Sequence, residues 1–371
     1  MKIVIVGSSH AGITLYDKRN QVSFVSQGII SYLAGQKSVL NQSSYSSVEE
    51  LKAAGLNMQM ETVVEEIDTK NKRLFYRRVN SKKTKLALYD KLIFATGSYP
   101  AMTSVPFDKK SKLYFLKSMD DAIKTDEFLK TAKNIAVIGG GMTGVEVARI
   151  AQERGIQTTL IHRNKNLLND YLDEPASHLL ESWMNAEGMR LLLNTEVTEI
   201  GSDEENTIIQ TANGQKIPVD GVIFTIGFRP NSYLLNQQVE LGDSGAVIVD
   251  EYMQTTCPDV FAVGDVSTTY VNLLEKSYYL PHASDAVRDG EIAAINLLAP
   301  RQKINSSQGT YHVPMNNLVM AMTGITIRQA VDAGYDADAV HLLNEHLDGH
   351  SPSNIWMIYE RRTHQILGYN V

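Results

Sequence analysis

Cysteine is nearly absent from this chain: Cys257 is the only one in 371 residues, so no intrachain disulfide and no cysteine-based metal cluster can form. No metal site is expected. An excess of positive charge is lacking as well. Thirty-five Lys and Arg against 42 Asp and Glu give a formal charge of -7, which repels a phosphate backbone unless the basic groups gather on one face. The lysine-rich stretches "SKKTKL" (Ser81 to Leu86) and "DKKSKL" (Asp108 to Leu113) read as solvated loops, so no nucleic-acid partner is expected. Long hydrophobic runs are also missing. "KIVIVG" and "GVIFTIGF" are too short to span a bilayer, and the chain opens on a strand-like run rather than a signal peptide. A cytoplasmic protein with no membrane partner is expected.

With 371 residues and 43% hydrophobic composition the chain can bury sizeable cores, in two or three domains. It also repeats itself. "KIVIVGSSHAG" (Lys2 to Gly12) and "NIAVIGGGMTG" (Asn134 to Gly144) are both strand-then-glycine openings. "YDKLIFATGSYP" (Tyr89 to Pro100) and "VDGVIFTIGFRP" (Val219 to Pro230) follow them at nearly the same distance, each an apolar run ending in glycine. Any one piece reads as a buried parallel strand and a glycine turn. Four in matched order predict an α/β chain with two related dinucleotide-binding units.

The second opening is the cleaner. Gly139, Gly141 and Gly144 fit G-x-G-x-x-G after an apolar strand, "VEVARIAQERG" (Val145 to Gly155) reads as the following helix, and "TTLIHRN" (Thr158 to Asn164) as the next strand. The first glycine permits the tight turn, the second lets backbone approach a pyrophosphate, and the third lets helix and strand pack closely; the anion then sits at the positive end of the helix. A cofactor with a free ribose 2'-hydroxyl usually meets Asp or Glu at the end of the second strand, whereas a 2'-phosphate needs cations. This chain has His162 and Arg163 there, with Lys165 just beyond, which favours NADPH over NADH. The plainer reading is exposed polar residues after a strand.

Taken together, "IVIVGSSHAG", "YDKLIFATG", "AVIGGGMTGVEVA", "IGFRPNSYLL", "TTCPDVFAVGD" and "LPHASDAVRDG" resemble the pyridine nucleotide-disulfide oxidoreductase superfamily over nearly the whole chain, in the family's order. The nearest branch is that of NADH oxidase, NADH peroxidase and coenzyme A-disulfide reductase. "IHRN" is similar to coenzyme A-disulfide reductases that use NADPH. The resemblance implies two Rossmann-like domains, for FAD and for NAD(P), and a C-terminal α+β interface domain that makes a homodimer. The expected boundaries are 1–108 and 232–299 for FAD, 109–231 for NAD(P) and 300–371 for the interface domain, with "INSSQGTY" (Ile304 to Tyr311) as linker.

Carried over residue by residue, Gly7 and Gly12 are expected against the FAD pyrophosphate, with Asp17 as the ribose acid. Thr96 and Gly97 are expected near the adenine half, and Asp265, with Gly264 beside it, at the ribityl or phosphate region; Asp265 also reads as a helix N-cap. His10 matches the histidine close to the flavin in this branch. Gly227 is the counterpart of Gly97 beside the nicotinamide cofactor, and Met142 stands where a bulkier residue covers the flavin.

Two departures qualify this. The family's reactive sequence is similar to "SFLSCG", whereas this chain reads "SFVSQG", with Gln27 in place of the thiol. An amide has no redox states, and Cys257, ahead of "PDVFAVGD", reads as a small buried residue. Thiol-dependent peroxidase, disulfide reductase and four-electron oxidase chemistry are disfavoured. Gln27 either hydrogen-bonds the flavin or fills space. The second departure is that Gly7 to Ile13 is shorter than the roughly ten to twelve residues a parallel crossover needs, so either a missing helix or a damaged FAD domain is expected. "SNIWMIYERRTHQILGYNV" (Ser353 to Val371) looks like the middle strands of an interface domain that stops short, leaving strands unpaired.

The expected function is an FAD-dependent NAD(P)H oxidoreductase, oxidase-like, with oxygen or another small molecule as acceptor and His10 polarising or protonating near the flavin. The alternatives are a dinucleotide-binding sensor that has lost turnover and a coenzyme A-disulfide reductase-like enzyme. Bound flavin separates the first from the second.

Overall fold

The computed structural model describes residues 3–6, 14–25, 28–36, 44–101, 105–305, 307–315, 317–344 and 353–371. Gly7, His10, Gly12 and Gln27 lie outside the described residues. The chain divides into two compact units: Met1–Gly28, Ser38–Tyr99 and Phe228–Ser307 form the first, and Ile29–Lys37, Pro100–Gly227 and Gln308–Val371 the second.

The first unit is built on a five-stranded parallel sheet in the order Val260–Ala262, Lys91–Phe94, Ile3–Val6, Thr14–Tyr16, Asn57–Gln59. Its inner strands, such as Lys91–Phe94 and Val260–Ala262, bury apolar residues on both faces, as a sheet covered on both sides requires. Ile5, Leu15, Ile93 and Phe261 pack with Ile292 and Ala293 of helix Ala283–Asn296. The alternating Val4, Tyr16, Leu92, Phe94 and Val260 pack with Val64 and Leu74. These last two come from an antiparallel three-stranded sheet of Thr62–Asp68, Arg73–Arg78 and Lys85–Leu88. Each fully buried Leu, Ile or Phe contributes about 1.5–3 kcal/mol of burial.

Ile3–Val6 and Thr14–Tyr16 are parallel neighbours, Val4 opposite Thr14 and Val6 opposite Tyr16, although only residues 7–13 separate them. Burial of Ile5 and Leu15 on one face and Val4 and Tyr16 on the other fixes this register, which a one-residue slip would invert.

The second unit repeats the design. Its parallel sheet runs Arg190–Leu192, Gln157–Ile161, Asn134–Ile138, Gly221–Phe224, Leu113–Tyr114. On one face Ala136, Ile138, Ile161, Val222 and Phe224 meet Ile200, Ile209, Ile217 and Val219 of an antiparallel meander, Val197–Ser202, Thr207–Thr211 and Lys216–Val219. Helix Met142–Glu153 buries Gly144, Val147, Ala148 and Ala151, spaced i, i+3, i+4 and i+7 to share one face, and is followed by Gly155, whose φ of +79° suits glycine.

The same unit carries an antiparallel sheet in the order Tyr311–Pro314, Val319–Gly324, Ile366–Asn370, Ser353–Glu360, Ala337–Asn344. The strands expected to be left unpaired, Ser353–Glu360 and Ile366–Asn370, each have a partner on both sides, because the chain order folds them into the middle of this sheet. Asn370 Oδ1 accepts a hydrogen bond from the Asp173 N–H, and Asp173 Oδ1 accepts one from the Ile327 N–H, each at 3.0 Å.

Candidate dinucleotide-binding sites

In the second unit the chain turns from strand Asn134–Ile138 into helix Met142–Glu153 at the carboxyl end of the sheet, beside the end of Gly221–Phe224. Strand order reverses between these two strands, which is where open α/β sheets leave a crevice for ligands. The turn is pinned. The Gly139 N–H donates to Ile161 O at 2.9 Å, the Leu168 N–H to Gly140 O at 2.9 Å, and Thr225 Oγ1 to Gly139 O at 3.0 Å. Gly139 has a φ of +118°, and a Cβ there would lie 2.5 Å from Thr225 O. A Cβ on Gly144 would lie 1.8 Å from Gly139 O, so helix and turn touch backbone to backbone.

Gly141 differs: among the described residues a Cβ there would meet nothing within 4 Å. It is the N-cap of the helix, and no side chain caps it. An open glycine over uncapped helical N–H groups fits a pyrophosphate and needs no other ligand. Met142 opens the helix, and Gly227, with a φ of +98°, accepts from the Ala101 N–H at 2.9 Å beyond Gly221–Phe224. Gly139, Gly141, Met142, Gly144 and Gly227 thus all stand at the carboxyl end of one sheet.

His162 and Arg163 part company. Arg163 is exposed and lines a cavity of about 410 Å³ with Asn164, Asn194, Thr195 and Glu196. His162 is half-buried and both ring nitrogens are engaged: Nδ1 accepts from the Gly140 N–H at 3.0 Å and Nε2 meets Asn169 Oδ1 at 3.0 Å. Burial holds its pKa below the ordinary 6.5, against the pull of Asn169. A neutral ring spent on the protein backbone is no partner for a 2'-phosphate, and the expected pair of cations is reduced to Arg163.

In the first unit Thr96, Gly97, Gly264 and Asp265 follow strands Lys91–Phe94 and Val260–Ala262 at the carboxyl end of that sheet, and Asp17 follows Thr14–Tyr16 at the same end. Thr96 Oγ1 donates to Asn231 O at 2.7 Å and the Asn231 N–H to Gly97 O at 2.9 Å. Asp17 is buried and accepts from the Arg19 N–H at 2.8 Å and Nη2 at 3.1 Å. Ser98 Oγ donates to Asp265 Oδ2 at 2.8 Å. Gly264, at φ +71°, packs so closely on helix Ala283–Asn296 that a Cβ would lie 3.0 Å from Ala286 Cβ. Beneath it Asp289 is 2% exposed, with Oδ2 on the Gly264 N–H and Oδ1 without a partner among the described residues. Burial pushes its carboxyl up to about 7. An orphaned acid under a glycine turn suits a site for a polar cofactor.

Sequence reasoning missed Thr225, Gly140, Ser98 and Asp289. The first two adjoin quoted glycines, and a Cβ test at each glycine finds them. Cys257 is half-buried against the core of Leu92 and Val260, and its N–H donates to Thr255 Oγ1 at 3.1 Å. Among the described residues no cluster of His, Cys, Asp and Glu could hold a metal, and no helix is long and apolar enough to cross a membrane.

Residues 1–290 match the family described as pyridine nucleotide-disulphide oxidoreductase. The chain belongs to this family. Among pyridine nucleotide-disulphide oxidoreductases, the NADH oxidase of Enterococcus faecalis is 32% identical over 388 residues, 99% of this chain and 87% of the relative. The NADH oxidase of Lactococcus lactis is 31% identical with the same coverage. The water-forming NADH oxidase of Lactobacillus brevis bound to NADH superimposes with a TM-score of 0.96 at 30% identity, over 100% of this chain and 86% of that one. Its engineered NADPH-oxidising form bound to NADPH matches equally, at 30% identity, a TM-score of 0.96 and the same coverage.

Proposed function

We propose that this protein is an FAD-dependent NAD(P)H oxidase that works without a redox thiol. The observation that carries the reading is the open, uncapped glycine turn at Gly141, in a chain more than 30% identical to NADH oxidases. The first unit is the flavin unit, held by Gly7, Gly12, Asp17, Thr96, Gly97, Gly264 and Asp265. The parallel-sheet part of the second is the nicotinamide unit, held by Gly139, Gly141, Met142, Gly144 and Gly227. The bound cofactors supply the chemistry, hydride from nicotinamide to flavin and two electrons onward to oxygen. The protein binds and orients them and excludes water.

His10 is the candidate proton donor beside the flavin, and Gln27 fills the place of the thiol with a hydrogen-bonding amide. With no second redox centre in the chain, delivery stops at two electrons, so one NAD(P)H, one proton and one oxygen give NAD(P)+ and hydrogen peroxide. Arg163 is the 2'-phosphate partner and favours NADPH. The Tyr311-to-Asn370 sheet is the dimer-forming element, and the protein is cytoplasmic.

The purified chain should be yellow, bleach when NADPH is added without air, and recover its colour on aeration with one hydrogen peroxide per NADPH. A colourless chain that takes up no FAD would instead be a sensor. Turnover of coenzyme A disulfide would place it among the reductases.

A further inference from the structure

We propose that His162 is the positioning residue of the nicotinamide-dinucleotide loop, holding it in its binding shape only as the neutral imidazole with the proton on Nε2. The inference rests on the nicotinamide site proposed above and concerns how that site is kept in shape.

Three observations fix the ring. A Cβ on Gly140 would lie 2.7 Å from His162 Cγ and 2.6 Å from Leu167 Cδ2, so the imidazole lies flush against the loop backbone. The Gly140 N–H donates to Nδ1 at 3.0 Å, which requires a lone pair there. Nε2 faces Asn169 Oδ1 at 3.0 Å. That oxygen also accepts from Asn164 Nδ2 at 3.0 Å, while Asn169 Nδ2 donates to Asp170 Oδ1 at 2.9 Å, so Asn169 presents an acceptor and Nε2 must carry the hydrogen.

The residue's backbone is held too: its N–H donates to Leu192 O and its carbonyl accepts from the Thr195 N–H, each at 2.9 Å. The ring therefore cannot follow the loop if the loop moves. With the Gly139 and Gly140 amides and the Gly140 carbonyl engaged within the protein, the amides left to a ligand are those of the uncapped helix start.

Protonation reverses the contact. An imidazolium donates from both nitrogens, so Nδ1–H would face the Gly140 N–H, donor against donor. The charged groups around the ring are Arg163 beside it, Asp170 on the following turn and Glu181 from helix Glu174–Ala186. The two carboxylates favour the charged ring, while burial and Arg163 oppose it and hold the pKa below 6.5. The loop is accordingly in its binding shape at neutral pH and loses it once acid protonates the ring. Losing one hydrogen bond of this kind weakens binding about three- to tenfold.

The test is the affinity of the flavin-loaded protein for NADP+ and for NAD+, measured by calorimetry from pH 8 to pH 5. Oxidised dinucleotides avoid turnover, and NAD+ carries no 2'-phosphate to titrate. The wild type is expected to weaken about three- to tenfold in acid for both ligands. His162→Gln, whose amide oxygen can accept from Gly140 without titrating, is expected to bind at pH 8 and lose the acid decline; His162→Ala is expected to bind weakly throughout. An identical acid decline in His162→Gln, or wild-type affinity in His162→Ala, overturns the proposal. Should the variants not fold, nitrogen NMR of the wild-type ring decides: a proton on Nδ1 at neutral pH overturns it as well. If the wild type binds neither dinucleotide at any pH, the nicotinamide site itself is wrong and both readings fall.

Discussion

Asp289 turns Oδ2 to the Gly264 N–H at 3.2 Å and leaves Oδ1 buried without a partner among the described residues. Burial first, and then the neighbouring Asp285 and Asp265, push its carboxyl from 3.8 up to about 7, against the opposing Gly264 N–H and Arg288. The folded state therefore prefers the neutral acid. The stability this confers is complete below the unfolded value near 3.8 and is lost as pH rises through about 7. Asp289→Asn keeps an acceptor for Gly264 and abolishes the titration. In urea denaturation the variant should gain on the wild type between pH 4 and pH 8, by up to roughly 3–4 kcal/mol. Parallel stability curves would refute this.

Gly144 and Gly141 should respond oppositely to alanine. At Gly144 a methyl group would lie 1.8 Å from Gly139 O and 2.7 Å from Thr225 Oγ1, both pinned, so helix and turn must separate. A cost of about 1–3 kcal/mol or more is expected, with NADP+ binding lost. At Gly141 the backbone (φ -80°, ψ -177°) accepts alanine and no atom of the described residues lies within 4 Å. Gly141→Ala should keep its thermal midpoint and still bind dinucleotide more weakly, because the methyl group stands where the ligand approaches. Unchanged binding in a folded Gly141→Ala would remove the pyrophosphate from this turn.

The repeated architecture was legible because it is written in short-range signals: apolar runs of four or five residues ending in glycine, twice over. Where a side chain's meaning depends on remote partners, the sequence was silent. His162 stands at a strand end where a cation was expected. Its partners Gly140 and Asn169 lie 22 and 7 residues away, and only the folded turn brings them to its two nitrogens. Asp289 carries no signal in "AVRDG", since burial of an acid under Gly264 follows from how a helix docks on a sheet. The seven residues between Ile3–Val6 and Thr14–Tyr16 are few for a parallel crossover, yet the two strands pair in parallel, with Val4 and Tyr16 buried on one face and Ile5 and Leu15 on the other.

In the proposed function Arg163 is the partner of a 2'-phosphate, exposed on a cavity it shares with Glu196, while Lys165 is paired with Glu174. Arg163→Ala should raise the KM for NADPH about tenfold while leaving that for NADH within about twofold, since a charge-assisted hydrogen bond contributes roughly 1.5–3 kcal/mol. Steady-state kinetics with both cofactors measures this directly. An equal loss for the two would mean that Arg163 supports the fold of the cavity rather than reading the ribose.

Cys257 tests whether sulfur takes part at all. Its side chain packs against the core cluster that includes Leu92 and Val260, its N–H donates to Thr255 Oγ1, and no second cysteine exists to complete a disulfide. A thiolate relay needs a sulfur within reach of the flavin and a second redox partner, and Cys257 is half-buried against a core with no second thiol in the chain. Cys257→Ser should cost about 1 kcal/mol in stability through the hydroxyl placed against apolar neighbours. Its rate of NADPH oxidation and its yield of hydrogen peroxide should stay within about twofold of the wild type, as a one-atom change in the core leaves both nucleotide turns in place. Loss of turnover in a Cys257→Ser protein that retains its flavin would bring sulfur back into the reaction and end the thiol-free reading.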